Sequence, residues 1–256
     1  MPAEHGGWGL TLEPGLLGFL AAPSAAGLLL GVAALLVFLV RTPLRLVFIG
    51  RRRGRAPRSA ASAGRSRLAR DVVLVESVAL GVAIVLAAWL AVDPLWWLPA
   101  LVAAALLAIA LWYDMRSLSR RLVPEIVGSL AIASVAAMGA LAGGASWPLA
   151  VGLWAILAAR ILSSIPHVRA QILRIHGRQA AGQPTVVGDA AALAVAGVAV
   201  LLDWSLVLGA LAIVGLVLIQ RANLARPPRP AKVLGVRQMA LGFTVVGVTA
   251  IGVWLL

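Results

Sequence analysis

The sequence contains no cysteine among its 256 residues. Disulfide bonds, thiolate chemistry, iron–sulfur clusters and cysteine-bound zinc are therefore excluded, and cysteine usage indicates no redox compartment. Charged residues are scarce as well, at 12%, which is about half of what a soluble domain carries. Hydrophobic residues make up 62% of the chain and the mean hydropathy is +1.00. This composition excludes an ordinary water-soluble fold.

The hydrophobic residues come in long unbroken runs, and a helix of about 20 such residues crosses a bilayer. The runs predict an all-α, polytopic membrane protein with about nine transmembrane helices, built as a single membrane domain over residues 1–256. The predicted helices cover residues 8–22, 24–40, 71–92, 96–113, 122–142, 148–165, 186–202, 204–223 and 232–256.

The first apolar segment, residues 8–40, allows two arrangements. It contains about 33 residues, more than one crossing requires, and Pro23-Ser24 interrupts it. These two residues could form a tight turn between two spans, or a kink in a pair of helices that re-enters the membrane. We expect two spans because of the length of the segment.

All 22 lysine and arginine residues fall into alternate connections of this arrangement. They lie within residues 41–70, 116–121, 160–178 and 221–237, whereas the connections around Pro23, Asp93, Gly143 and Asp203 contain none. Basic residues accumulate on the cytoplasmic side of membrane proteins. We therefore expect a multi-pass membrane protein with the amino terminus in the cytoplasm and the carboxyl terminus outside.

The densest basic segment, residues 51–70, has no interleaved aromatic side chains on which bases could stack. A nucleic-acid partner is therefore not expected, despite the net charge of +13. Attraction to anionic lipid of the inner leaflet explains such a segment. Within it, residues 56–64 are rich in Ser, Ala and Gly and are expected to form a flexible loop.

Two halves of the chain show a weak similarity that predicts parallel copies over residues 8–121 and 122–226, followed by a final helix at 232–256. Glu13-Pro14 precedes Gly18 in the first half, and Pro124-Glu125 precedes Gly128 in the second. Chance similarity in so apolar a chain is the alternative.

The nine carboxylates are unevenly distributed along the predicted topology. Asp93 and Asp203 precede helix starts on the outer side and are expected to be N-caps. The other seven lie toward the cytoplasmic side, and each at membrane depth is a candidate functional residue. They are Glu4, Glu13, Asp71, Glu76, Asp114, Glu125 and Asp189.

Arginines are the expected partners of these acids. Arg160, near the end of the sixth predicted helix, is expected to pair with Glu13 or Glu76, and Arg121 with Glu125 has the i,i+4 spacing of a helical pair. In one interpretation the acids are helix-end partners of arginines. In the other they belong to a polar cavity that faces the cytoplasm, whose wall includes Asp71, Glu76 and Asp189.

No metal ion and no cofactor is predicted. Asp71 and Glu76 are five residues apart, which turns them about 140° from each other on a helix. The three histidines also lack ligand spacing. Arginines at the expected helix ends are better candidates for binding an anion, because their planar forks match phosphate oxygens. They are Arg41, Arg45, Arg116, Arg120, Arg121 and Arg169.

The start Glu4-His5-Gly6-Gly7-Trp8, leading into Leu12-Glu13-Pro14-Gly15, resembles the YwiC-like family of bacterial membrane proteins. Further matches are Arg41-Thr42-Pro43-Leu44, Arg120-Arg121 followed by Glu125, and Pro166-His167-Val168-Arg169. The resemblance extends over nearly the whole chain, and its most specific part is the Glu-His-Gly-x-Trp start. It implies a multi-pass protein of the bacterial plasma membrane, without an established activity.

The layout also resembles the UbiA superfamily of intramembrane prenyltransferases, which have nine helices and an active cavity at the cytoplasmic face. Paired aspartate motifs of that superfamily hold magnesium and the prenyl diphosphate. The corresponding connections here offer only Asp71 and Asp189. The resemblance therefore implies a lipid-shaped cavity, and it leaves open whether any reaction is catalysed.

Three functions are compatible with these observations. In the first, the protein binds, or binds and transforms, an isoprenoid or phosphorylated lipid: the arginines hold the head group, and Glu4, His5, Glu13 and Glu125 move protons or orient the ligand. The second is a small transporter, which requires broken helices that meet near the bilayer midplane. The third is a non-catalytic membrane partner or scaffold for another protein.

Overall fold

The computed structural model describes residues 5–52, 60–116, 118, 121–178 and 182–256, with the backbone alone for residues 5–7, 41–52, 60–67 and 69. Within these ranges the chain forms nine α-helices and no strand. A short 3₁₀ turn, Trp204–Leu206, precedes α8. The helices are α1 His5–Ala21, α2 Ala25–Arg52, α3 Ala60–Leu90, α4 Leu98–Met115, α5 Leu122–Ala142, α6 Trp147–Ile175, α7 Gln183–Leu202, α8 Val207–Leu224 and α9 Ala231–Leu255.

Seven helical segments in the described part are long and apolar enough to cross a membrane, and an eighth, Ala25–Val40, is a shorter apolar helix. The seven correspond to α3 through α9. A helix satisfies all of its main-chain hydrogen bonds internally, which is why such segments are stable in lipid. The predicted fold class, an all-helical polytopic membrane bundle, is confirmed.

The connections that lack lysine and arginine come together at one end of the bundle. The N–H of Val92, after α3, donates to Ala142 O at the end of α5 over 2.9 Å. A methyl group added at Gly143 would overlap Ala22, after α1. Leu206, before α8, packs against Gly152 near the start of α6. We call this the acidic end, because Asp93 and Asp203 lie there, and the opposite one the basic end.

The predicted N-cap role is confirmed for Asp203, which caps the 3₁₀ turn before α8, and is wrong for Asp93, because the N-cap of α4 is Trp97 and Asp93 instead caps the turn before that helix. Asp93 Oδ1 accepts a hydrogen bond from the N–H of Leu95 over 2.7 Å. Asp203 Oδ1 accepts one from the N–H of Ser205 over 3.0 Å. Each carboxylate thus satisfies a main-chain donor that the turn leaves free.

α1 runs parallel to α5 over the depth of the bundle. Gly18 lies against Ala136, and the chain after α1 reaches Gly143 at the acidic end. Toward the basic end, Gly9 lies beside Met239 of α9. α1 therefore extends from the acidic end toward the basic end, as the neighbouring helices α5 and α9 do.

α2 returns along α1 and α5 in the opposite direction. Gly15 of α1 packs against the main chain of Gly31, and Gly27 packs against Gly139 of α5. A side chain at Gly15 would overlap Gly31, so this close approach of two helices requires glycine. The contacts show two antiparallel helices side by side in residues 8–40, and the crossing of the membrane by both stays a prediction.

α1, α5, α6 and α9 form the centre of the bundle. α1 contacts α2, α5, α6 and α9, and α6 contacts α5, α7, α8 and α9. The peripheral helices α3 and α4 pack mainly on α2 and α5, and only 11% of each span is buried. The helix order does not test the predicted internal repeat, which stays a prediction.

The predicted helix boundaries around the basic segment 51–70 are wrong. α2 continues to Arg52 and α3 begins at Ala60, so residues 60–64 of the expected flexible loop are helical; residues 53–59 lie outside the described part. Alanine and arginine are among the strongest helix formers. They extend both helices beyond their apolar segments.

The predicted end of the sixth helix at residue 165 is also wrong, because α6 continues through Pro166 to Ile175. A proline removes one main-chain donor, and in membrane helices neighbouring helices compensate for the freed group. Gly188 of α7 approaches both Leu162 O, the carbonyl four residues before the proline, and the Pro166 ring. The absence of a side chain at Gly188 permits this contact.

The membrane orientation remains a prediction, and the cysteine-free chain permits a direct test. With the basic end in the cytoplasm, a membrane-impermeant maleimide is expected to label Ser146→Cys in intact cells and Arg178→Cys only after permeabilisation. Leu157→Cys, which is buried, is the control that stays unlabelled in both. Labelling of Arg178→Cys in intact cells would reverse the orientation.

Candidate functional site

The buried polar side chains of α6 lie on one face of the helix. Arg160, Ser163, Ser164, His167 and Gln171 are each at most 5% exposed. Residues three and four apart share a helix face, and at 1.5 Å per residue the five extend over about 16 Å. We call these five residues the α6 polar stripe. It begins inside the bundle and ends near the basic end.

The inner end of the stripe is a buried ion pair. Arg160 Nη2 lies 2.7 Å from Glu13 Oε1 and also donates to the main-chain carbonyl of Gln238 over 3.1 Å. The pair joins α1, α6 and α9, and the side chains of Glu13 and Arg160 are 2% and 4% exposed. The pairing that the sequence predicts for Arg160 with one of two acids is confirmed for Glu13.

Two glycines make room for this pair. A methyl group added at Gly242 of α9 would overlap both Glu13 Oε1 and Arg160 Nη2, and one at Gly9 would lie 3.0 Å from Glu13 Oε1. The absence of these two side chains lets the carboxylate and the guanidinium meet between three helices.

The middle of the stripe hydrogen-bonds to α7 and α8. Ser163 Oγ lies 2.6 Å from Asp189 Oδ1 and 2.9 Å from Gln220 Oε1. Because a hydroxyl carries one proton, it donates to one of these oxygens at a time. Asp189 Oδ2 pairs with Arg221 Nε at 2.5 Å, so this carboxylate is held from both sides.

Gln220 connects the middle of the stripe to α9. Its Nε2 donates to Ser164 Oγ over 3.0 Å and to Gln238 Oε1 over 3.4 Å. The main-chain carbonyl of Gln238 in turn accepts from Arg160. The polar groups of α1, α6, α7, α8 and α9 therefore form one continuous network inside an apolar bundle.

The outer end of the stripe reaches a narrow cleft at the basic end, between α6, the α8–α9 connection and α9. Its cavity volume is about 20 Å³, room for one water-sized group. His167 and Gln171 line its inner part, and Arg226, Arg229 and Arg237 line it as well. Both ring nitrogens of His167 and Gln171 Oε1 are buried without a hydrogen-bond partner in the described part of the chain.

Arg174 holds the α8–α9 connection against α6. Its Nη1 donates to Leu224 O and its Nη2 to Arg226 O, each over 2.9 Å. These bonds satisfy carbonyls at the carboxyl end of α8, where a cation is favourable. The main chain beside the cleft is thus fixed, while the side chains of Arg226 and Arg229 are exposed.

Several of the sequence-predicted arginines lie away from the cleft. Arg116 is stacked over the Trp112 ring at 3.9 Å, and Arg121 is the exposed N-cap residue of α5. Arg169 Nη1 pairs with Glu125 Oε2 at 2.8 Å, with both side chains 37% exposed. Glu125 therefore pairs across helices, with α6.

The other candidates are outside the described part or have only a described backbone. Glu4 and Arg120 fall outside it, and the structure describes the backbone alone for three others, His5, Arg41 and Arg45. Within the basic segment 51–70 the structure describes side chains only for Leu68 and Arg70, and Arg70 is exposed. The roles assigned to these residues stay predictions.

The three acids of the predicted cavity wall separate into two groups. Asp189 belongs to the buried network. Asp71 is exposed on α3, and Glu76 is half-buried there, with an Oε2 atom that has no hydrogen-bond partner among the described residues. In the described ranges no three His, Asp or Glu side chains lie close enough together to hold a metal ion.

Sequence reasoning missed Ser163, Gln220 and Gln238, and it did not single out the cleft arginines Arg226 and Arg237 as a group. One signal could have indicated Ser163, because the polar residues of the sixth apolar segment repeat at three- and four-residue spacing. The cleft joins residues more than 50 positions apart, which no local pattern reveals.

The helices, the buried network and the one-sided arginines define a multi-pass helical membrane protein with a polar interior. Residues 1–139, more than half of the chain, match the family model of the YwiC-like protein, and the chain belongs to this family. The match includes Glu13 but ends before α6, so it is shorter than the resemblance expected over nearly the whole sequence. No curated protein matches the chain. No solved structure matches it, and a likeness to the UbiA superfamily is therefore not shown.

The buried pair predicts non-additive losses of stability. Glu13→Gln or Arg160→Gln alone should cost about 3 kcal/mol or more, because each leaves a buried charge unpaired. The double variant should lose less than the sum of the two. Thermal unfolding of the purified protein measures this cycle. The half-exposed pair Glu125–Arg169 is the control, and removal of either partner should cost less than about 1 kcal/mol. Additive losses of stability at Glu13 and Arg160 would contradict the expectation.

The glycine beside the pair predicts a position-specific effect on α9. Gly242→Ala should lower the unfolding temperature strongly, because its methyl group would displace the carboxylate from the guanidinium. Gly247→Ala on the same helix is the matched control, since nothing lies within 4 Å of an added methyl group there. Equal unfolding temperatures for the two variants would show that the pair tolerates displacement.

Proposed function

We propose that this protein binds the phosphorylated head group of a membrane lipid, of an isoprenoid or a related class, in the cleft at the basic end. The observation that carries the proposal is the convergence of Arg226, Arg229 and Arg237 with buried His167 and Gln171 around one cavity. Guanidinium groups form short, charge-assisted hydrogen bonds to phosphate oxygens. The binding site is thus assigned to different arginines from those that the sequence favours.

The position of the cleft supports a ligand from the membrane. It lies at the ends of spanning helices, where lipid head groups are found, and the positive-inside rule predicts that this end faces the cytoplasm. Arg226 and Arg229 are exposed, so they can approach a head group without leaving water. Attraction of anionic lipid to such a basic surface amounts to about 1 kcal/mol per residue.

A row of lipid-facing residues on α9 leads away from the cleft. These residues repeat at three- and four-residue spacing on one helix face and are exposed or half-exposed. The row starts at Val233, which also lines the cleft. Its members are Val233, Val236, Ala240, Thr244, Gly247 and Ile251.

The far end of this row enters an apolar groove of about 460 Å³ near the acidic end, lined by Leu20 of α1 and by α9 from Gly247 to Leu255. From Val233 to Ile251 the row extends over about 27 Å at 1.5 Å per residue. One leaflet contributes only about half of a hydrocarbon core of about 30 Å. The row is therefore long enough to accompany an isoprenoid chain.

Binding, rather than a reaction, is what these residues support. No carboxylate lines the cleft within the described part of the chain, and Glu13, a candidate for proton transfer, is enclosed with Arg160. Glu4 and His5 keep their predicted role as ligand-orienting groups near the amino terminus.

The proposal predicts a saturable lipid site that depends on the cleft arginines. Purified protein in phosphatidylcholine nanodiscs, doped with a polyisoprenyl phosphate or an anionic diacyl lipid, should retain one phosphorylated lipid in native mass spectrometry. The triple variant Arg226→Gln/Arg229→Gln/Arg237→Gln should lose it, with affinity at least about tenfold lower because several charge-assisted bonds disappear.

The charge-matched control is Arg116→Gln/Arg121→Gln/Arg178→Gln, which removes three positive charges away from the cleft and should keep the lipid. Equal loss in both triple variants would indicate a diffuse electrostatic attraction and contradict a defined site. A wild-type protein that retains no phosphorylated lipid would overturn the proposal.

Transport is the second candidate function, because the polar network continues from the cleft to Glu13 and Arg160 inside the bundle. Buried ionisable groups in membrane helices commonly mark substrate or proton pathways. Gradient-driven uptake of an anion into proteoliposomes that contain the wild-type protein would favour this function over binding alone.

A further inference from the structure

We infer that the prolines of the α8–α9 connection are positioning residues of the head-group site, because they hold Arg226 and Arg229 on one face of a rigid segment. The inference rests on the proposed function and specifies how its site is built. We call residues 226–230, Arg-Pro-Pro-Arg-Pro, the proline arm. Both of its arginines line the cleft, so the conformation of the arm determines where these two positive charges lie.

The backbone of the proline arm is restricted at every residue. Each of its residues is a proline or directly precedes a proline. A proline ring holds φ at about −65°, and the residue before a proline is driven toward extended conformations. Pro230, with φ −52° and ψ 143°, lies close to polyproline II geometry, and residues 227–230 belong to no helix, strand or turn. The arm is therefore a short polyproline II segment.

The spacing of the two arginines matches the period of this conformation. Polyproline II has three residues per turn and rises about 3.1 Å per residue, so side chains three positions apart share a face, with their Cα atoms about 9 Å apart. Arg226 and Arg229 have this spacing, and both line the same cleft as the geometry requires. Arg237 lines it from α9. One head group therefore meets guanidinium groups from two elements.

The proline arm is hydrogen-bonded at its two ends. Arg226 O accepts from Arg174 Nη2 over 2.9 Å, which ties the start of the arm to α6. Pro230 O accepts from the N–H of Leu234 over 3.1 Å, which joins its end to the first turn of α9. Between these anchors, the main chain of residues 227–229 forms no hydrogen bond with the described part of the chain, and the whole arm is exposed. The stiffness of its middle therefore comes from the prolines.

A rigid arm makes binding stronger without adding a contact. If the connection were flexible, its residues would have to become ordered when the lipid binds, and that loss of conformational entropy would weaken the affinity. The prolines restrict the arm before the ligand arrives. The position of the two charges, and not only their number, is then a determinant of binding.

An exchange of one proline with one arginine tests the shared face. Pro228→Arg/Arg229→Pro keeps the charge and the number of prolines, and each residue of the arm still is or precedes a proline. It places the arginines two positions apart, which turns them about 120° from each other. In phosphatidylcholine nanodiscs doped with a polyisoprenyl phosphate, the affinity should fall about tenfold, because one charge-assisted hydrogen bond is lost. Arg229→Gln should lower it by a similar factor.

Removal of the prolines tests the rigidity. Pro227→Ala/Pro228→Ala/Pro230→Ala keeps all three cleft arginines and should also lower the affinity about tenfold, because the arm gains conformational freedom that binding must remove. In this flexible background the register should no longer matter. Pro227→Ala/Pro228→Arg/Arg229→Ala/Pro230→Ala should therefore bind as the triple alanine variant does.

The matched control is Pro94→Ala/Pro148→Ala/Pro184→Ala, which removes three exposed prolines that do not line the cleft and should keep the affinity. A merely structural role of the arm would lower the unfolding temperature of both triple variants and leave the affinity of both unchanged. Equal losses of affinity in the two would likewise overturn the inference, since they would report a general effect of proline removal.

The outcomes separate the inference from the proposed function. If the exchange variant or the triple alanine variant binds the polyisoprenyl phosphate as tightly as the wild-type protein, the positioning role is wrong and a head-group site remains. If the wild-type protein binds no phosphorylated lipid, both are overturned. A tenfold loss in the exchange variant, in the triple alanine variant and in neither property of the control would establish the arm.

Discussion

The Glu13–Arg160 pair is the contact on which the rest of the bundle depends. Within hydrocarbon neither charge is tolerable alone, so α1 and α6 must hold these residues at one level, and α9 must leave space for them at Gly242. The same requirement fixes the rotation of three central helices. Once α6 is oriented in this way, its remaining polar residues face α7, α8 and α9 instead of lipid.

Polar groups inside a membrane protein must be satisfied by one another, because no bulk water reaches them. The network from Ser163 to Gln238 meets this condition through side chains from α6, α7, α8 and α9. At the basic end, His167 and Gln171 line a cleft together with three arginines, and both have buried atoms without a hydrogen-bond partner among the described residues. The convergence of three arginines on this cleft is the physical basis for assigning ligand binding to it.

Much of the architecture could be predicted from the sequence, since long apolar runs separated by alternately basic and uncharged connections define helix number and alternation. The sequence narrowed the expected partner of Arg160 to two acids, Glu13 and Glu76, because few carboxylates occur at membrane depth. The continuation of α6 through Pro166 was not, since the helix packed against the proline, with Gly188 at the contact, is distant in the sequence. The cleft was not predictable either, because it combines the end of α6 with the α8–α9 connection.

The separation of Glu13 and Arg160 along the chain has a consequence for biogenesis. The two residues are 147 positions apart, and at 5–20 residues per second a ribosome needs about 7–30 s to cover that distance. During this interval the counter-ion of Glu13 has not been synthesised. A lone carboxylate in hydrocarbon is costly, which favours a waiting position of α1 at the membrane surface and its late entry into the assembling bundle.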